Sequence, residues 1–198
     1  DIETPIPTID AAVSSRNLSK LKKLRLELAE VYGSAHQIEA SAAFIDDLEQ
    51  AFYFAMTTAY AQGMHLLWQA SITYQYELKL AEIAKIWRGG CIIRAEFLED
   101  IYQAYNQQPD LEHLYSDAGI QNKIKQSLKG TRNVLCSAMK AGIAIPAFAA
   151  SLTYFDTLKS GRMPSNLTQA QRDFFGAHTF ERIDCEGIFH ADWNQNNL

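Results

Sequence analysis

The sequence predicts an all-α fold, a multi-helix domain built around one long central helix. Three observations predict it. Apolar residues recur at helical spacing over residues 42–78, through Phe44, Leu48, Phe52, Ala55, Ala59 and Tyr74. Glycines stand where helices stop, at Gly33, at the Gly89-Gly90 pair and at Gly142. No stretch between turn signals alternates apolar and polar residues as a strand would.

Taken in order, residues 1–7 form a polar lead-in with two prolines, Pro5 and Pro7. The first helix starts at Pro7 or Thr8 and runs to Val31, with a stripe of Val13, Leu21, Leu24, Leu28 and Val31. Arg16 lies on the border of that stripe, where an arginine either snorkels to water or meets an anion. Lys20, Lys22, Lys23 and Arg25 read as a solvated face. After a loop over 34–41, the long helix is a rod of roughly 50 Å, the spine of the domain or a dimer contact. Gly63 in its middle costs about 1 kcal/mol relative to alanine, which points to a backbone packed close by. A short helix over 80–88 stops at Gly89-Gly90, and the next spans 91–106, before Pro109. A helix over 117–141 has Gly130 as its weak point and ends at Gly142, and Pro146 opens a helix over 146–160. Asn166 caps a helix over 167–175, for which Gly176 is the stop. The tail, 183–198, has little helical pattern, and Phe189 and Trp193 suit anchoring it in a groove. The domain reading is a helical domain over 1–182 and a tail over 183–198.

Composition narrows the function. A net charge of −5 argues against a nucleic-acid partner. The longest apolar run, Ala141 to Leu152, is too short to span a membrane and contains Pro146. Three widely spaced cysteines, Cys91, Cys136 and Cys185, suit a reducing cytoplasm rather than a disulfide framework. The glycines form neither a GxGxxG nor a P-loop pattern, so no dinucleotide fold is expected in these residues. No histidine belongs to an HExxH, no cysteine to a CxxC, and Asp110-x-x-His113 beside Pro109 matches ligand spacing only by chance, so no metal site is expected. No catalytic residue is expected either. Glu96, Glu99 and Asp100 read as solubilising charge, and Trp87, Phe97, Tyr102 and Tyr105 as core. The chain begins with Asp1 rather than Met, which reads as a piece of a longer chain.

The stretch that concentrates chemistry is QAQRDFFGAHTFER, Gln169 to Arg182. Arg172 carries a fork suited to gripping a phosphate or carboxylate through two parallel hydrogen bonds. His178, just beyond the stop, adds a donor that is charged or neutral near physiological pH. The same residues also fit a plainer role, because an arginine in a last helical turn complements the helix dipole.

Several stretches in order resemble the decarboxylating 6-phosphogluconate dehydrogenases. They are VSSRNLSKLK around Arg16, AYAQGMHLL from Ala59, EIAKIWRGGCIIRAEFL from Glu82, AGIAIPAF from Ala141, QAQRDFFGAHTFER, and GIFHADW from Gly187. The resemblance implies the large helical C-terminal domain of that enzyme, which oxidises 6-phosphogluconate with NADP and decarboxylates it to ribulose 5-phosphate. It implies that the dinucleotide fold and the catalytic lysine and glutamate lie upstream, outside these residues. It implies that Arg16 binds the substrate phosphate within its own subunit, and that Arg172 and His178 reach into the neighbouring subunit's site of a homodimer. Arg88 and Arg94, in the IWRGGCIIR stretch, are expected to be structural. Ala144 stands where the family often has proline, and the family's longer tail is missing or short. The alternative reading is a free-standing helical dimerisation module without an enzymatic role.

Overall fold

The computed structural model describes residues 2–193. It is all-α apart from one short hairpin. In order the helices are α1 (Pro7–Ser19), α2 (Lys22–Tyr32), α3 (Ala42–Tyr74), α4 (Leu80–Gly90), α5 (Phe97–Gln107), α6 (Ala118–Lys140), α7 (Pro146–Leu158) and α8 (Asn166–Gly176). A single 3-10 turn, Leu114–Ser116, precedes α6, and strands β1 (Phe180–Glu181) and β2 (Ile188–Phe189) pair antiparallel after α8. The chain divides into two compact units, Asp1–Asp156 and Thr157–Leu198. The helix carrying Arg172 therefore belongs to the same unit as the tail.

In the first unit α3 is the spine, packed against α6 along much of its length and touched by α1, α4 and the 3-10 turn, while α4 pairs with α5. Ser41 caps α3 by accepting the Phe44 N–H, and Asp117 caps α6 by accepting the Ile120 N–H at 2.8 Å. The core is Phe54 and Met64 of α3, Leu98, Ile101 and Tyr105 of α5, and Leu114 and Ile120. Of the expected core aromatics Phe97 and Tyr105 are buried, and Trp87 and Tyr102 pack against the core partly exposed.

Several expected boundaries differ, each for a local reason. The first helix is two helices. Ser19 Oγ donates to the Arg16 carbonyl at 2.7 Å, and the Arg25 guanidinium donates to the Ser19 carbonyl at 3.1 Å. Those bonds satisfy carbonyls that a continuing helix would have used, and Leu21 leaves helical geometry. The expected stripe is consequently not a core face: Val13, Leu21, Leu24, Leu28 and Val31 are all exposed, and α2 buries no residue.

Helix α3 ends at Tyr74 rather than 78, with Gln75 left-handed at φ 57°. Its buried face runs through Phe54, Thr57, Thr58, Ala61 and Gln62, and Leu48 and Phe52 are exposed. Three of those buried residues are polar, so a count of apolar positions alone tilts the stripe. Gly63 meets nothing within 4 Å of its would-be Cβ, so the close backbone expected there is not found among the described residues.

Both glycines of the Gly89-Gly90 pair lie inside α4, and α5 starts at Phe97 instead of 91. The Tyr60 hydroxyl donates to the Ile93 carbonyl, and Arg88 pairs with Glu99 across this corner. Helix α6 is continuous through Gly130. A Cβ there would lie 2.9 Å from Cβ of Gln50, so the glycine admits a neighbouring helix instead of breaking its own. No helix starts at Pro109; the His113 side chain caps the 3-10 turn instead.

A buried polar seam runs beside the core. The Gln62 side chain accepts the Thr8 N–H at 3.0 Å and donates to Thr8 Oγ1 at 2.9 Å, pinning the first turn of α1 to α3. Tyr115 and Thr58 share a hydroxyl bond of 2.6 Å, and Thr58 donates onward to the Phe54 carbonyl. His113 Nδ1 accepts the Tyr115 N–H at 3.1 Å, so its proton sits on Nε2, which donates to the Tyr154 hydroxyl at 3.0 Å. A second proton on this ring would face a donor.

Burial, with His65 beside it, holds the His113 imidazole down to about 4 against the ordinary 6.5. The unfolded chain therefore takes up this proton first. The contribution of His113 is complete above about pH 6.5 and is lost as pH falls toward 4, at most about 3 kcal/mol. We expect the stability difference between wild type and His113→Gln, measured by urea unfolding, to shrink steadily from pH 7 to pH 4.5. A difference independent of pH would mean the histidine takes up its proton as readily in the folded chain as in the unfolded one.

Candidate functional site

The second unit is built around one acid. Asp173 of α8 has no exposed surface. Its Oδ1 accepts the Thr179 N–H at 3.0 Å and His190 Nδ1–H at 2.8 Å, and its Oδ2 accepts the Ala191 N–H at 3.0 Å and Trp193 Nε1–H at 2.9 Å. Burial by itself would raise this carboxyl. The hydrogen bonds from Ala191, His190 and Trp193 outweigh it and hold the group down at about 2. Asp173 is ionised throughout the physiological range and fully engaged.

The helix stop is not where the sequence put it. Gly176 is still helical, and the left-handed residue is Ala177, at φ 49°, whose N–H bonds to the Asp173 carbonyl at 2.8 Å. Thr179 is also left-handed, at φ 60°, an uncommon state for a β-branched residue. His178 sits between these two. The loop is braced from both sides, because Gln169 Nε2 donates to the Thr179 carbonyl at 2.5 Å while Asp173 takes the Thr179 N–H. Asn166 is the first residue of α8 rather than its cap, and Ser165 at the cap position makes no side-chain cap bond.

Arg172 and His178 are brought together. A terminal nitrogen of the guanidinium lies 3.2 Å from His178 Nδ1 and 3.4 Å from Nε2, and both side chains are exposed. Among the described residues no carboxylate pairs with Arg172, although Asp173 is its neighbour in sequence. Arg88, Arg132 and Arg182, by contrast, are paired with Glu99, Asp156 and Asp184. Arg88 thus has an ion-pair partner in Glu99, which makes Glu99 more than solubilising charge. Arg172 and His178 together form a compact cationic donor surface when the imidazole is protonated. With a neutral imidazole the guanidinium still presents its fork outward.

Arg16 lies on α1, in the first unit, with an exposed side chain that pairs with no carboxylate among the described residues. The Thr8–Gln62 bonds two turns earlier fix the helix that carries it. Sequence reasoning missed Asp173, Gln169, His190 and the polar anchor Gln62. Gln169 and Asp173 stand four apart, on one helix face, which is the one sequence signal for a shared task. No group of three or more His, Cys, Asp or Glu among the described residues could hold a metal ion. The hairpin is the extent of β structure among them, with no parallel sheet for a dinucleotide.

The architecture matches a solved dehydrogenase. The structure of Plasmodium falciparum 6-phosphogluconate dehydrogenase, described as apo, with its cofactor NADP+ and with its substrate 6-phosphogluconate, superposes with a TM-score of 0.89 at 43% identity, over 96% of this chain and 42% of that one. The fold class is therefore that of the all-α part of such a dehydrogenase. The family model for the 6-phosphogluconate dehydrogenase C-terminal domain matches residues 1–193, and the chain belongs to that family. Similar proteins include a decarboxylating 6-phosphogluconate dehydrogenase of Synechococcus elongatus, 47% identical over 98% of this chain and 42% of its own length, and one of Spinacia oleracea, 43% identical over 98% and 41%. The chain spans about 42% of the length of such relatives.

The stop geometry is testable. Gly176→Ala places a methyl in open space on a helical residue and is expected to be neutral or to stabilise by up to about 1 kcal/mol in urea unfolding. A loss of about 1 kcal/mol or more would return the left-handed stop to Gly176.

Proposed function

We propose that this chain supplies the substrate-phosphate clamp and the subunit contacts of a decarboxylating 6-phosphogluconate dehydrogenase, acting on 6-phosphogluconate with NADP to give ribulose 5-phosphate and carbon dioxide. One observation carries the site: a guanidinium on α8 and an imidazole on a braced loop, 3.2 Å apart, both exposed, with no carboxylate paired to Arg172 among the described residues. A phosphate dianion satisfies both at once, through the fork of Arg172 and a ring N–H of His178. Arg16 contributes a third cation. On the family reading Arg16 serves its own subunit's site, and Arg172 with His178 serves the neighbour's, in a homodimer. Such remote contacts orient the sugar acid, so that groups elsewhere act on a fixed carbon.

NADP, bound chiefly by a dinucleotide domain outside these residues, accepts the hydride. The general base and acid, a lysine and a glutamate in the family, also lie outside them. The residues here bind and orient; none is assigned to proton transfer. Exposed apolar side chains on α2 and α3, among them Leu24, Leu28 and Phe52, together with the open space at Gly63, support a second copy as a packing partner. The three cysteines are free, which agrees with a reducing compartment such as the cytoplasm. One spinach relative is described as chloroplastic.

In the full-length dehydrogenase, Arg172→Ala is expected to raise KM for 6-phosphogluconate by about 10- to 100-fold, from the loss of a charge-assisted contact, with a smaller change in kcat. Turnover of gluconate, which lacks the phosphate, should be unchanged by the same substitution. Equal losses with both substrates would remove the phosphate role.

A further inference from the structure

The cationic pair does not hold its own shape. His178 lies between two left-handed residues, Ala177 and Thr179, neither of them glycine. Each left-handed non-glycine residue carries a conformational cost, so the loop persists only where its surroundings hold it. Two side chains of α8 do so. Gln169 takes the Thr179 carbonyl, and Asp173 takes the Thr179 N–H, so both polar groups of that one residue are fixed.

Asp173 also fixes the tail. The same carboxylate accepts from His190, from the Ala191 N–H and from the Trp193 indole, and Trp193 in turn packs edge-on against Phe174 at 5.7 Å. The segment over 190–193 and the loop over 177–179 are thus bound to two oxygens of one group. Neither can leave without stranding a buried charge.

On a helix, side chains at adjacent positions point about 100° apart, so Asp173 faces the loop and tail while Arg172 is exposed. Both carboxylate oxygens are committed to donors on that inner face. The guanidinium of Arg172 stays without a carboxylate partner and available to an anion.

We infer that Asp173 is a positioning residue for substrate-phosphate binding: it locks the 177–179 loop to the 190–193 tail segment, setting the Arg172–His178 geometry, with Gln169 as its helper on the opposite side of Thr179. This rests on the reading of Arg172 and His178 as the phosphate clamp. Asp173 touches no substrate in this scheme; it acts through the loop.

The experiment is a mutant cycle in the full-length dehydrogenase, with Asp173→Asn, Arg172→Ala, the clamp variant Arg172→Ala/His178→Ala, and that clamp variant carrying Asp173→Asn. Asparagine keeps the size but turns one of the two accepting oxygens into a donor, so one pair of bonds is lost whichever way the amide points. Asp173→Asn is expected to raise KM for 6-phosphogluconate about tenfold with kcat within about twofold, and to leave KM for NADP unchanged. In the clamp variant Asp173→Asn should add nothing to KM, because the aspartate acts only through that pair. Should Asp173→Asn fail to fold, Gln169→Ala removes the other brace of Thr179 and is expected to raise the same KM by a smaller factor. If both single brace variants leave KM at the wild-type value while Arg172→Ala raises it, the positioning role is overturned and the clamp survives. A further KM increase from Asp173→Asn in the clamp variant also overturns it. If Arg172→Ala itself leaves KM unchanged, the clamp reading fails first and the inference with it.

Discussion

The second unit depends on a single buried carboxylate. Four N–H donors, two from the backbone and two from side chains, converge on Asp173. A charge with no surface of its own open to water persists only when its lone pairs are filled, and here they are. That requirement fixes a loop with two left-handed residues and a tail segment that has almost no regular structure. The imidazole beside Arg172 is thus carried on a loop that this carboxylate holds.

The first unit solves a related problem with uncharged groups. α1 buries almost nothing, Thr8 being its one buried residue. Its attachment is a reciprocal pair of hydrogen bonds with Gln62, a glutamine with no exposed surface in the middle of α3. An amide satisfied on both sides is directional, as an apolar contact is not, so it sets the rotation of α1 and therefore the side on which Arg16 emerges. The seam continues through Thr58, Tyr115, His113 and Tyr154, where every bond fixes a donor or acceptor role on the next group. In both units cations proposed to meet substrate stand on elements held by buried polar groups, while Arg88, Arg132 and Arg182 are consumed in ion pairs.

The fold class, the long central helix and the pairing of Arg172 with His178 were legible in the sequence, because helical periodicity and a short idiosyncratic segment carry them. What was not legible shares one cause. The break after Ser19 depends on where a serine hydroxyl and an arginine send their hydrogen bonds, and no spacing rule records that. The tilt of the α3 face comes from Thr57, Thr58 and Gln62, which a hydrophobic pattern counts as exterior. Gly176 marked a stop that the backbone makes one residue later, at Ala177, since the Asp173 side chain stabilises the strained loop beyond it. Asp173 itself drew no expectation from the sequence. Only its burial and its four partners reveal its role. The hairpin of two residues per strand is too short for alternation to register.

The claim on which the functional reading turns is that each site is completed by two subunits. Full-length subunits carrying Arg16→Ala and Arg172→Ala, co-expressed with different affinity tags and isolated as the mixed dimer, test it directly. A shared site predicts that one of the two sites regains both arginines, so that about half of wild-type activity returns at subsaturating 6-phosphogluconate although each homodimer is impaired. Mixed dimers no more active than the parent homodimers would contradict it, since each site would then draw both arginines from the same subunit.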